Sequence, residues 1–160
     1  MTKNRAAIYI AYIAAIIVAA AVAIPLAIQY YEGKNLAKDV AIGSALYRDN
    51  CASCHGSNLE GQPEWRSPDA NGLYPAPPHN DDGHTWHHAD QLLYDYTNLG
   101  GAAALQKSGV DGFESGMPAF GETLSEAEIW AVLTFIKSRW SDRNRLSQQE
   151  RTKTDEEIDQ

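Results

Sequence analysis

A single membrane-crossing helix followed by one small helical domain is the architecture that this chain of 160 residues predicts. Three observations point there. An uncharged, apolar run fills residues 6–31; the later ordered segments repeat their apolar residues at helical spacing; and Ser125 with Glu128 heads the clearest of those repeats as a capping box.

The run AAIYIAYIAAIIVAAAVAIPLAIQYY is built almost wholly of Ala, Ile, Val, Leu and Tyr. At about 1.5 Å per residue, some 20 such residues cross a hydrocarbon layer of roughly 30 Å. Lys3 and Arg5 precede the span and Glu32 is the first charge after it, so the short basic amino terminus is expected in the cytoplasm, with the rest outside a bacterial inner membrane, on the periplasmic side. Tyr30 and Tyr31 fall at the outer interface, and Pro25 near the helix end is a tolerable defect. The competing reading is a cleaved leader with Ala21-Val22-Ala23 as its small-residue site; the apolar run is longer than a usual leader core and continues past that site.

Residues 32–35 read as a very short linker. A first domain helix is expected from Leu36 to Asp49, with Leu36, Val40, Gly43 and Tyr47 on one face; a glycine in mid-helix costs stability and hints at a close helix crossing. From Gly56 to Gly83 the composition turns to Gly, Pro, Asn and Asp, an irregular loop. A middle helix follows from Ala89 to Asn98 on Leu92, Leu93 and Tyr96, and Gly100 and Gly101 end it. The last domain helix runs from Glu126 to Trp140, where Ile129, Val132, Leu133, Ile136 and Trp140 form the stripe. The domain is therefore 36–141, and 142–160 is a charged tail, mobile or a solvated helix, with too few apolar residues to bury a core.

The formal net charge is −8, and beyond Tyr31 the 11 Lys and Arg stand against 21 Asp and Glu, a balance of −10. Such a surface disfavours nucleic acid and suits a protein partner with a basic patch.

The chain has two cysteines, both in Cys51-Ala52-Ser53-Cys54-His55, a C-x-x-C-H run. That spacing is the attachment site of a c-type haem: two thiols add to the vinyl groups on one porphyrin edge, and the following imidazole coordinates the iron. A thioredoxin-type pair would need a strand and helix alternation that the chain lacks. A zinc site completed by His79, His84, His87 or His88 would need a spacing far longer than that of a zinc finger. Neither alternative requires His55.

Iron held by His55 needs a second ligand or an open position. Met117 is the only methionine besides the initiator; Pro118 holds it extended, and Gly116 and Gly121 allow close backbone approach. Its thioether is a soft, neutral donor, and His/Met ligation raises the reduction potential. The rival ligands are His79, His84, His87 and His88, which could also hold copper or zinc; the blander expectation is polar filling around a haem propionate, with His84 and Trp86 donating hydrogen bonds and His87 or His88 facing solvent.

GSALYRDNCASCHG, GMPAFGETLSEAEI and WAVLTFIKSRW, in that order, resemble the class I cytochrome c family in its small membrane-anchored bacterial form, over residues 36 to 141. The resemblance implies an all-α fold wrapping one covalent haem c, here behind a single N-terminal transmembrane helix. It implies a glycine and aromatic of the first helix packed on an aromatic of the last, which Gly43, Tyr47 and Phe135 match. It also implies a proline carbonyl receiving the ligand imidazole's proton; Pro75, Pro77 and Pro78 qualify, with Pro77 preferred. The Pro- and His-rich loop from Gly61 to His88 departs from the simplest pattern of the family.

A membrane-anchored carrier of single electrons is thus expected, in a respiratory or photosynthetic chain. By resemblance the donor is a quinol:cytochrome c reductase and the acceptor a terminal oxidase or reaction centre. The alternative is a fixed haem-relay subunit, whose close helix contact the alanines of the span would permit. A sensor or small peroxidase would require Met117 to leave the iron. No nucleophile and base pair, phosphate-cradling loop or paired catalytic carboxylates emerge, so no enzyme acting on a small-molecule substrate is expected.

Overall fold

A computed structural model of the protein describes residues 3–158 and contains six α-helices, a short 3-10 turn and no strand among those residues. The side chains of Lys3 and Arg5, on which the expected orientation rests, lie outside the described ones, as do residues 159–160 of the tail. The compact units of the chain divide after Lys38.

Helix α1 spans Lys3–Asn50. Its apolar part carries exposed side chains such as Ile13, Ile16, Ile17 and Val18, and is long and apolar enough to cross a membrane. Residues 32–35, expected as a linker, are helical: no proline interrupts them, and extending an existing helix needs only one more hydrogen bond per residue. Pro25 lies inside the helix without ending it. Of the residues expected on one face, Leu36 is exposed, Val40 is half-buried, and Gly43 and Tyr47 are buried.

In the second unit, the last turns of α1 cross α5 (Glu126–Ser138) at Gly43. A methyl group there would lie 1.9 Å from the Ala131 carbonyl oxygen and 2.9 Å from Phe135 Cβ, so only glycine permits this approach. One turn on, Tyr47 packs on Phe135 with ring centroids 5.4 Å apart. Ile129, Val132, Leu133 and Ile136 of α5 fill the core beside Leu59 and Leu93. Each such side chain, fully buried, contributes about 1.5–3 kcal/mol of transfer free energy. The capping box holds: Ser125 N–H donates to the Glu128 carboxylate at 2.8 Å. Trp140 lies beyond the end of α5 but stays buried, its Nε1 donating to the His79 carbonyl at 2.7 Å.

Helix α3 (Asp90–Leu99) is the expected middle helix. Gly100, at φ +81°, ends it as expected, but Gly101 opens α4 (Gly101–Lys107), which its composition hid: Gly-Gly reads as a stop, yet Ala102 to Lys107 are good helix formers.

The tail 142–160 forms α6 (Asp142–Ile158), and it docks. The contacts are polar, which an apolar count misses. Gln148 is 1 % exposed, with Nε2 2.5 Å from Asp90 and 3.3 Å from the His88 carbonyl. Asp90 also pairs with Lys137 at 2.6 Å, and Asn144 Nδ2 donates to Asp81 at 2.8 Å.

Candidate functional site

Helix α1 ends at Asn50, and a single further turn, α2 (Ala52–His55), carries the C-x-x-C-H motif. The Cys51 N–H still bonds the Tyr47 carbonyl at 2.8 Å, so the motif issues rigidly from the helix. Residues three apart share a helical side, which puts both thiols toward one edge with His55 following. Cys51 is half-buried and Cys54 exposed, and the two are not joined in a disulfide. Burial, and then the neighbouring Cys54, pushes the Cys51 thiol up to about 11. Gly56 then turns the chain at φ +82°.

The His55 ring is 7 % exposed, and its Nδ1 lies 2.9 Å from the Pro77 carbonyl oxygen. A carbonyl can only accept, so Nδ1 carries the proton and donates it, leaving the lone pair on Nε2 free. Burial holds the His55 pKa below its ordinary value, with the Pro77 bond opposing, so the ring is neutral and competent as a ligand. Of the three prolines open in the sequence, the geometry selects Pro77. Its approach depends on Gly61 at φ +68°, where a Cβ would meet Pro78 N at 2.4 Å and Pro77 C at 2.7 Å. Gln62 N–H adds a bond to the Ala76 carbonyl at 2.8 Å.

Met117 is set by the α3–α4 junction. Its carbonyl accepts the Gly101 N–H at 3.1 Å, and its own N–H donates to Ser115 Oγ at 3.2 Å. Phe120 and Gly121 N–H donate to the Thr97 and Asn98 carbonyls, each at 3.0 Å. Gly121 lies close to this run of contacts: a Cβ there would stand 2.2 Å from Asn98 Oδ1, which would have to swing aside, and 3.0 Å from the Asn98 carbonyl oxygen. The Met117 side chain is half-buried.

Trp86, expected as a donor near a haem propionate, lies in the short turn after Gly83. Its Nε1 donates to the Gly83 carbonyl at 3.1 Å inside the turn Thr85–His87, which occupies the indole's one donor, and its ring stacks on His87 at 3.6 Å. His84 stacks on the Trp65 ring at 5.2 Å, and the Arg66 guanidinium lies 4.0 Å from the centre of that same ring. His87 is exposed and His88 half-buried. Burial lowers the pKa of His84 and His88, with neighbouring cations adding to it. Among the described residues no group of three or more His, Cys, Asp or Glu side chains is placed to hold a metal ion.

His79, expected with its neighbours as filler or rival ligand, is half-buried and packed against His55. Its ring stacks on His55, centroids 3.9 Å apart and planes at 20°. No sequence signal announces this, because the contact joins positions 24 residues apart through a loop.

Two thiols one turn apart, beside a buried imidazole whose outer nitrogen is free and whose inner one is pinned, make a donor set for covalent haem: a c-type haem protein. The residues fit the group, with Cys51 and Cys54 for the thioether bonds and His55 for the iron. A family model described as Cytochrome c matches residues 40–140, well over half the chain, and the protein belongs to that family. It is an electron-transfer protein with covalently bound haem c. No curated protein and no solved structure matches the chain.

Proposed function

We propose that this cytochrome c is a single-electron carrier tethered to the outer face of a bacterial inner membrane, with His55 and Met117 as its two protein ligands to iron. The observation that carries the reading is the His55 Nδ1 to Pro77 contact of 2.9 Å, which leaves the lone pair of the ring to Nε2, in the residue that follows the second thiol. Bound haem supplies the one-electron couple. The protein's part is to hold the ligands nearly constant, so that little reorganises on transfer, and to keep water from the proximal ring, as the 7 % exposure of His55 does. The half-buried Met117, its loop fixed by three backbone bonds to Gly101, Thr97 and Asn98 and a fourth to the Ser115 hydroxyl, supports a closed sixth position.

The apolar helix supports an anchor, and the charge bias across it supports the orientation. Anchoring confines diffusion to the membrane plane and raises the effective concentration at neighbouring complexes. The acidic surface suits basic faces on a quinol:cytochrome c reductase as donor and a terminal oxidase or reaction centre as acceptor. The reading is tested by a reduced-minus-oxidised spectrum with redox titration of the purified membrane protein. Low-spin haem that withstands acid–acetone extraction and does not bind carbon monoxide is expected; extractable haem or ready carbon monoxide binding refutes it. Co-elution with a membrane complex at fixed stoichiometry in mild detergent would instead favour a fixed relay subunit.

A further inference from the structure

The hydrogen bond from His55 to Pro77 fixes one atom of the imidazole and the direction of one bond, and does not by itself set the plane of the ring. A flat partner against the ring does so, and His79 is such a partner at 3.9 Å and 20°. His79 is itself held from several sides. Its N–H donates to the Leu59 carbonyl at 2.8 Å, its carbonyl accepts Trp140 Nε1 at 2.7 Å, and the Tyr47 ring stands edge-on at 5.9 Å. Tyr47 in turn donates its hydroxyl to the Gly56 carbonyl at 3.2 Å, so α1 and the end of α5 both brace the pair. The Nδ1 of His79 is enclosed and has no hydrogen-bond partner among the described residues, so polar bonding of the ring through that atom does not explain its place. Its packing does.

From this geometry we infer that His79 is a positioning residue that sets the plane of the His55 imidazole, and through it the electronic state of the iron. The orientation of an imidazole plane decides which metal orbitals its π system meets, and groups behind a ligand tune the metal in this way. The inference rests on the reading of His55 as iron ligand.

The test uses the full-length, haem-loaded protein in detergent, as wild type, His79→Leu and His79→Phe. Leu keeps apolar bulk without a flat face, whereas Phe keeps the flat face without nitrogens. Low-temperature electron paramagnetic resonance of the ferric form reads the ligand plane through the g values, and a redox titration reads the midpoint. His79→Leu is expected to shift the largest g value and the midpoint together, with His79→Phe returning both to wild type. Wild-type values in His79→Leu, or a His79→Phe protein displaced as far as His79→Leu, overturn the inference. Haem loading lost in Leu but kept in Phe supports it, since the flat face is then needed to present the ligand; loading lost in both overturns it. Wild-type protein without low-spin covalent haem would overturn the ligand reading instead, a separate result.

Discussion

Replacing Gly43 by alanine adds one methyl group at the tightest point of the haem domain. In an open helix that change is favourable by about 0.8–1.0 kcal/mol, because glycine loses more backbone entropy on folding. Here the added carbon would stand 1.9 Å from the Ala131 carbonyl oxygen and 2.5 Å from its carbon, against a practical minimum of 3.0 Å, so α1 and α5 must part by about 1.1 Å. The obstacle is backbone, which cannot swing aside as a side chain can. Overpacking costs typically about 1–3 kcal/mol, and an immovable neighbour puts this site at the upper end. After the helix gain is subtracted, Gly43→Ala is expected to destabilise by about 2 kcal/mol. Parting the helices also draws Tyr47 from Phe135 and from the Gly56 carbonyl, one turn along. The assay is urea unfolding followed by far-ultraviolet circular dichroism, with Gly33→Ala as control. At Gly33 an added carbon meets nothing within 4 Å, so that variant should unfold at the wild-type midpoint or slightly above it. A Gly43→Ala protein as stable as wild type would refute the close crossing on which the frame of the site depends.

Met117→Ala should open the sixth position, so that the reduced protein passes from no carbon monoxide binding to near-stoichiometric binding and the midpoint potential falls; an unchanged spectrum would remove Met117 from the ligand set. Asp90→Ala leaves Lys137 and Gln148 without their shared partner and should cost about 1–3 kcal/mol, seen as faster tryptic cleavage of α6 at Arg143, Arg145 and Arg151. Burial holds His84 and His88 below their ordinary value of 6.5, with His87 and Arg66 facing the first and His84, His87 and Arg151 facing the second. The unfolded chain therefore takes up their protons first, so stability is full above pH 6.5 and is lost as pH falls from 6.5 through the folded values. Urea midpoints at pH 7.5 and 5 should show that loss, and a His84→Gln, His88→Gln protein should show a smaller one.

How far the site could be read from the sequence varied with the range of the interaction. Cys51, Cys54 and His55 are legible because the chemistry of covalent haem demands them within five residues, and the Ser125 and Glu128 cap because it closes within one turn. Gly43 was legible as an anomaly, a glycine where a helix prefers anything else. Helix α4 was hidden behind a Gly-Gly pair that serves a different purpose: Gly100 takes a positive φ, and Gly101 makes room for Ser115, whose oxygen would stand 2.1 Å from an added Cβ.

By itself, then, the sequence determined the helical periodicity, the apolar span, the haem-binding pentapeptide and the family, all properties of neighbours along the chain. Only the tertiary structure decided which proline meets His55, that α6 docks through Gln148, and that His79 lies flat on His55. Those depend on where two loops come to rest against a packed core. Hydrogen bonds and ring contacts between residues 22 to 60 positions apart leave no periodic trace for the sequence to show.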